Sequence, residues 1–290
     1  MNFTRDCRSL TTAPSPYRNY HPSTSVYTSV TIQIRTFKFV LIAVIFVLAM
    51  APLYAVSQSG SFVISQHGHA VGTATVNFTG STNGYDTSTV VKVTMQGLNY
   101  SFSKTEQLTS ANAIKHVDLN ATVNNSAVTL TAVPDSAQLL LNISANGKST
   151  TTRLVNHPAA VFFPDFDPGA FDTVLALAVA NNNRGLYAVI PKGAGSVSPI
   201  QLATYADELG TLDGKPVLVH HLKATIAGST SDIFSGPQNQ LLQAELSQQG
   251  FALVRKGFIL TPPAKAGAPP AAPAQQTPLP ALAAPKPVQQ

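Results

Sequence analysis

Val117-Asp118-Leu119-Asn120-Ala121-Thr122-Val123 alternates apolar and polar residues without a break. Successive side chains of a strand point to opposite faces, so this alternation describes a strand with one face buried and one face wet. The same period extends in both directions. Upstream, Ala74, Val76 and Phe78 alternate with Thr73, Thr75, Asn77 and Thr79. Val91, Val93 and Met95 alternate with Lys92, Thr94 and Gln96, and Leu98, Tyr100 and Phe102 with Asn99, Ser101 and Ser103. Downstream come Val128, Leu130 and Ala132, then Leu139, Leu141 and Ile143. Turn signals separate these runs: His67-Gly68, Asn83-Gly84, Asn124-Asn125, Pro134-Asp135 and Asn146-Gly147. Such pairs tolerate the positive φ of two-residue hairpins, so the first half reads as an antiparallel meander.

One helix interrupts the strands. Asp167 supplies an N-cap and Pro168 the first helical position. Phe171, Val174, Leu175 and Ala178 follow at helical spacing, and Gly185, after Asn181-Asn182-Asn183-Arg184, stands where a C-cap is expected. Strands resume at Leu186–Ile190, 216–227, Leu241–Leu246 and 251–260, with a turn at Asp213-Gly214. A sheet wet on one face must cover the other, and one helix is little cover for about ten strands. The sheet must curl or split into two stacked layers. The expected fold class is mainly β: a curved antiparallel sheet, half-barrel or barrel-like, with one helix packed on it.

The ends of the chain read differently. Residues 39–50 are Phe-Val-Leu-Ile-Ala-Val-Ile-Phe-Val-Leu-Ala-Met, preceded by Arg35 and Lys38 and followed by the small residues Ala51, Ala55 and Ser57. A basic flank, an apolar run and a small-residue zone describe a signal peptide cleaved near Gln58. Read as a retained anchor, the apolar stretch from Phe37 to Val56 has about the 20 residues that a bilayer span needs. Residues 1–34, rich in Ser, Thr, Tyr and Pro, are expected to be a disordered extension, and the Pro/Ala-rich residues 261–290 a disordered tail. Between them, 58–260 forms one β-rich extracytoplasmic domain, periplasmic or secreted, or held to a membrane through the N-terminal segment.

Charge excludes one class of partner. The formal charge is +5, but Arg5, Arg8, Arg18, Arg35 and Lys38 precede Gln58 against a single acid, Asp6. The basic residues beyond are scattered singly, whereas nucleic-acid binding needs clustered Lys and Arg. No nucleic-acid partner is expected. The single cysteine, Cys7, precedes the apolar run, so the β domain has neither disulfides nor thiol chemistry.

Candidate chemistry is thin. His67 and His69, two apart, together with His220 in the His220-His221 pair, are the best metal-ligand candidates. Gly68 points to a turn between the first two, however, and His220 falls on the face of Leu218, Leu222 and Ile226, as a packed imidazole would. No metal and no cofactor is expected. Asp165, Asp167 and Asp172 lie close in sequence, but without the spacing of a calcium loop. Ser101-Phe-Ser-Lys104 matches S-x-x-K, a motif that works only on a helix. On a strand Ser101 and Lys104 face opposite ways. Enzymatic activity is not expected.

The order of a long antiparallel sheet, Phe162-Phe163-Pro164 with a helix after it, and a closing meander resembles exported bacterial proteins with a curved half-barrel sheet. Leu241-Leu242-Gln243-Ala244-Glu245-Leu246, followed by Gln248-Gln249-Gly250-Phe251, looks like their last hairpin. Those proteins are similar to periplasmic carriers of lipoprotein or lipid. The resemblance implies an apolar or lipid-like ligand in the cell envelope, with Phe162, Phe163, Phe171, Val174 and Leu175 as its contacts. The alternatives are a structural or adhesive surface protein and an exported hydrolase, whose mark would be a polar pocket joining distant His, Asp and Ser. Mass spectrometry of the mature protein should find an N-terminus within a few residues of Gln58; intact chain retained in the membrane would favour the anchor.

Overall fold

The computed structural model describes residues 56–262. The expected extension, leader and tail fall almost wholly outside them. The first half is the expected meander: β1 (Val56–Gln66), β2 (His69–Ser81), β3 (Gly84–Met95), β4 (Leu98–Thr109), β5 (Ile114–Val123), β6 (Ser126–Asp135), β7 (Gln138–Ala145) and β8 (Lys148–Val155). Each pairs antiparallel with the next. The alternating residues sit as their period demands, with Ala74, Val76, Phe78, Val91, Val93, Phe102, Val117, Leu119, Leu130, Ala132, Leu139 and Leu141 buried. β1 begins two residues ahead of the boundary read from the sequence.

Two hairpins turn elsewhere than their signals suggest. Ser81 pairs with Gly84, so the loop is Thr82-Asn83 and Gly84 belongs to β3. Asp135 pairs with Gln138, so Ser136-Ala137 makes the turn and Pro134 lies within β6. The β5 ladder ends at Ala132, so the missing N–H of Pro134 faces no partner on that side.

The second half has more strands than periodicity revealed. It comprises β9 (Ala160–Phe162), α1 (Pro168–Ala180), β10 (Leu186–Ile190), β11 (Ser196–Thr204), β12 (Glu208–Leu212), β13 (Lys215–Ile226), β14 (Ser229–Ser235), β15 (Leu241–Leu246), β16 (Phe251–Arg255) and β17 (Phe258–Leu260). Lys256-Gly257 splits the expected last strand, with Gly257 at φ 81°. The pairings run β8 to β1 in reverse order, then β16, β15, β14, β13, β11, β10 and β9. Only β9 with β10 is parallel among these pairs. β12 branches from the first half of β13 and also pairs with β17.

This sheet is curved. α1 touches β2 and β3 in the meander, β15 beyond β1, and β9 and β10 at the far edge. One 13-residue helix meets all of these only if the sheet wraps around it. The helix stripe read from the sequence is accordingly too narrow. Pro168, Gly169, Ala170, Asp172, Thr173 and Leu177 are buried as well, as expected of a helix apolar on all sides. Its C-terminus is made by asparagines, not by Gly185. Asn181 caps it, with its side-chain amide donating to Leu177 O at 2.9 Å, and Asn182 and Asn183 carry the positive φ. Its N-terminus lies hard against β3. A Cβ on Gly169 would come 2.3 Å from Thr89 Oγ1.

A buried ionic cluster ties β4, within the meander, to the edge strand β9 and to the start of α1. On β4 the inward face reads Phe102, Lys104, Glu106, Leu108, all buried. Lys104 Nζ lies 2.8 Å from Glu106 Oε2 and 2.6 Å from Asp167 Oδ2, and donates to Phe162 O at 3.3 Å. Glu106 Oε1 accepts from Phe162 N at 2.8 Å. The edge of β9 turned away from β10 is thus satisfied by two side chains of β4 instead of a backbone ladder. The other carboxylate oxygen of Asp167 accepts from Gly169 N at 2.8 Å as the helix N-cap. Burial lowers the tendency of Lys104 to hold its proton, but Asp167 and Glu106 outweigh it and the ammonium persists. Burial raises Glu106 despite the ammonium beside it. Lys104→Met leaves two carboxyls without their cation in the interior, and should cost about 3–5 kcal/mol of unfolding free energy by chemical denaturation. A loss near zero would show that β9 and α1 are held by packing alone.

Candidate functional site

The N-terminal half of β1, the β2–β3 hairpin, the exposed side of α1 and the loop before β15 enclose a cleft of about 320 Å³. Phe78 and Tyr85 form one wall, their rings stacked with centroids 5.5 Å apart. Ala176 and Val179 of α1 form the other. Gln58, Gln238 and Asn239 supply neutral polar groups at the rim, and the Gln58 amide donates to Gln238 O at 2.8 Å.

Among the described residues one charged side chain lines this cleft. Asp172 is only 3% exposed. Its Oδ1 accepts from Leu241 N at 2.7 Å; no described residue donates to its second oxygen. Arg255 donates to the carbonyl of the same Leu241 at 3.3 Å and to Ser59 O, so it stands behind the cleft, outside its lining. Burial pushes the Asp172 carboxyl up to about 7, against the Leu241 amide and Arg255, while Asp167 adds to the rise. A buried carboxyl poised near neutrality in a cleft is a frequent mark of a functional site.

The sequence-derived candidates lie elsewhere. Phe162, Phe171, Val174 and Leu175 are buried in the main core, and Phe163 packs edge-on against Phe171 with centroids 5.0 Å apart. None of the five is among the residues lining the cleft. Phe171, Val174 and Leu175 are the side of α1 that seats it in the core, with Phe162 and Phe163 packed in the same core. His67 occupies the turn between β1 and β2 with φ 49° beside Gly68, and His69 opens β2.

His220 is not a packed core imidazole. The buried side of β13 changes parity between Val219 and Ala224, where the strand passes from β12 to β11 as its neighbour. The face of Leu218, Leu222 and Ile226 is therefore buried only towards Ile226. His220 is 36% exposed at its side chain, with Nδ1 2.9 Å from Asp207 Oδ1. Its neighbour His221 is the enclosed one. It stacks between Tyr205 and Phe234, at 4.9 and 4.5 Å. Its Nδ1 lies 3.0 Å from Glu208 Oε1 and its Nε2 3.0 Å from Asp232 Oδ1. That arrangement binds the 205–208 segment to β13 and β14. Among the described residues no group of three or more His, Cys, Asp or Glu side chains is placed to hold a metal ion.

Of the three clustered aspartates, Asp165 pairs with the exposed Lys192 at 2.9 Å, Asp167 joins the buried cluster and Asp172 faces the cleft. They do not converge. Ser101 and Lys104 face opposite ways on β4, as expected of a strand.

No protein-family model matches the chain, and no curated protein matches it. A solved structure, the β-barrel-like protein of domain of unknown function DUF1849 from Brucella abortus, is similar at 11% identity and a TM-score of 0.46. The match covers 72% of this chain and 100% of that one. A likeness of that extent carries no function across.

Asp172 couples the cleft to pH. Folded, it keeps its proton up to about 7; unfolded, it releases it near the ordinary value of 3.8. Its contribution to stability is therefore complete below that lower value and is lost as the pH rises through the upper one. Asp172→Asn cannot titrate. Across this window the stability of wild type should fall relative to the variant with a slope approaching ~1.4 kcal/mol per pH unit in urea denaturation. A difference that does not change with pH would place the carboxyl in water.

Proposed function

We propose that this chain is an exported, non-catalytic protein that binds a small ligand with an apolar body in the cleft beside α1. The observation that carries the reading is the facing pair of walls, Phe78 and Tyr85 against Ala176 and Val179. Small-ligand sites are concave and largely apolar, with a few placed polar groups, and this cleft has that composition. No histidine lines it, so it lacks the converging His, Asp and Ser that a hydrolase would need. The lipid-carrier role implied by the resemblance is kept here only in a reduced form, as the binding of a small ligand with an apolar body. The concave side of the sheet holds α1 and its packed neighbours, and Phe162, Phe163, Phe171, Val174 and Leu175 would serve the ligand by seating the helix that forms one wall. Export rests on the apolar run at 39–50 with its basic flank and small-residue zone. Among the described residues no helix is long and apolar enough to cross a membrane.

A surface protein that works by contact with another macromolecule is the second reading, and a different observation favours it. Leu209 pairs with Leu218, and Ile259 pairs with Thr211 two residues along β12. These three apolar side chains share one sheet face and are exposed at 64%, 45% and 68%.

The ligand-binding reading is tested with N-phenyl-1-naphthylamine, whose emission rises in apolar surroundings. The chain has no tryptophan to interfere. Wild type should enhance the probe saturably. Ala176→Phe, which fills the half-buried wall position from within, should weaken binding about fivefold or more at unchanged stability. No saturable binding by wild type, or equal binding by the variant, would remove the cleft as the site.

A further inference from the structure

Among the described residues the cleft carries a formal charge of one sign only. Its walls are apolar, its rim is neutral, and Asp172 is the one ionisable side chain besides the Tyr85 phenol among its lining residues. We infer that the ligand is a cationic amphiphile, an apolar body bearing a protonated amine, whose ammonium group is received by the free oxygen of Asp172. This rests on the reading of the cleft as a ligand site and names the chemical class of its ligand.

Three features of the geometry point that way. The carboxyl is more than nine-tenths buried, yet only one of its oxygens is engaged by a described residue, the Leu241 amide. An ammonium is a compact triple donor, and Asp172 with the rim carbonyls of Gln58, Gln238 and Asn239 offers it acceptors. An anionic headgroup would instead meet a carboxyl, with the nearest guanidinium turned away. Arg255 spends its donors on Leu241 O and Ser59 O, and its guanidinium packs over the Phe62 ring at 5.8 Å.

The groups facing Asp172 set how it responds. Leu241 N–H and Arg255, from β15 and β16, favour its charged form; Asp167 at the helix N-cap opposes it; the Tyr85 phenol lies across the cleft. With the carboxyl poised at about 7, a bound ammonium replaces the proton as the countercharge. Uptake of such a ligand below neutrality therefore releases a proton.

The test compares two probes of nearly equal shape, 1-naphthylmethylamine and 1-naphthylmethanol, by fluorescence titration at about pH 8, where both the amine and Asp172 are charged. Wild type should bind the amine about tenfold or more tighter than the alcohol, since a charge-assisted contact in a low-dielectric cleft far exceeds a neutral one. Asp172→Asn retains an oxygen for the Leu241 amide and should bring the amine down to the affinity of the alcohol, leaving the alcohol unchanged. Val179→Lys, at an exposed wall position, places a cation at the cleft without touching the core; both probes lose part of an apolar wall, and the amine should lose several-fold more affinity than the alcohol. Equal affinity of the two probes for wild type, or amine binding untouched by both variants, overturns the cationic ligand while leaving the apolar site in place. Failure of both probes to bind removes the site itself.

Discussion

The free edge of β9 is the constraint on which the rest depends. A short strand hydrogen-bonded to β10 on one side presents unpaired groups on the other, and buried backbone polar groups must be satisfied. Here Lys104 and Glu106 take the place of the missing strand, gripping the carbonyl and amide of Phe162. Those two charges are tolerable in the interior only because they neutralise each other and Asp167 joins them. Asp167 is at once the N-cap of α1. One cluster therefore fixes the edge strand β9 against β4 and the start of α1.

The position of α1 then decides the cleft. Its N-terminus is pressed on β3 through Gly169, and Thr173 Oγ1 meets Thr87 Oγ1 at 3.2 Å. With that end held, the outer side of the helix, Ala176 and Val179, faces the β2–β3 hairpin across the cleft. Asp172 stands between the two regimes. It clasps the start of β15 through Leu241 and still borders the open space. The same burial that makes it a structural tie holds its carboxyl near neutrality, so the tie and the site cannot be separated energetically.

The histidines illustrate a different limit. Read along a regular strand, His220 shares a face with Leu222 and Ile226. The strand keeps its register with β14 from His220 to Ile226, but its two faces are covered in succession: Val219 packs with Phe234, Leu242 and Phe258 in a second cluster, and Ala224 and Ile226 pack in the main core. Alternation says which residues share a face, not which face is covered at each point, and His221 rather than His220 is enclosed between aromatic rings.

What the residues determined by themselves was local. Period-two alternation from Ala74 to Ile143, the cap at Asp167-Pro168 and the hairpins at His67-Gly68, Asn124-Asn125 and Asn146-Gly147 are consequences of backbone sterics and of side chains pointing to alternate sides. They made the meander and the single helix legible. Lys104 and Glu106 stand in phase with Phe102 and Leu108 on the buried face, but the alternation read from the sequence stopped at Phe102 and did not single them out. Nor was their partner legible, because Phe162 lies 58 and 56 residues away in sequence, and no local pattern encodes contact across that distance. The same holds for the cleft. Gln58, Phe78, Asp172 and Gln238 come from four segments that meet only when the sheet has wrapped around α1. Sequence period specifies which side of an element is apolar; only the packing of distant elements specifies which polar groups are left facing a space.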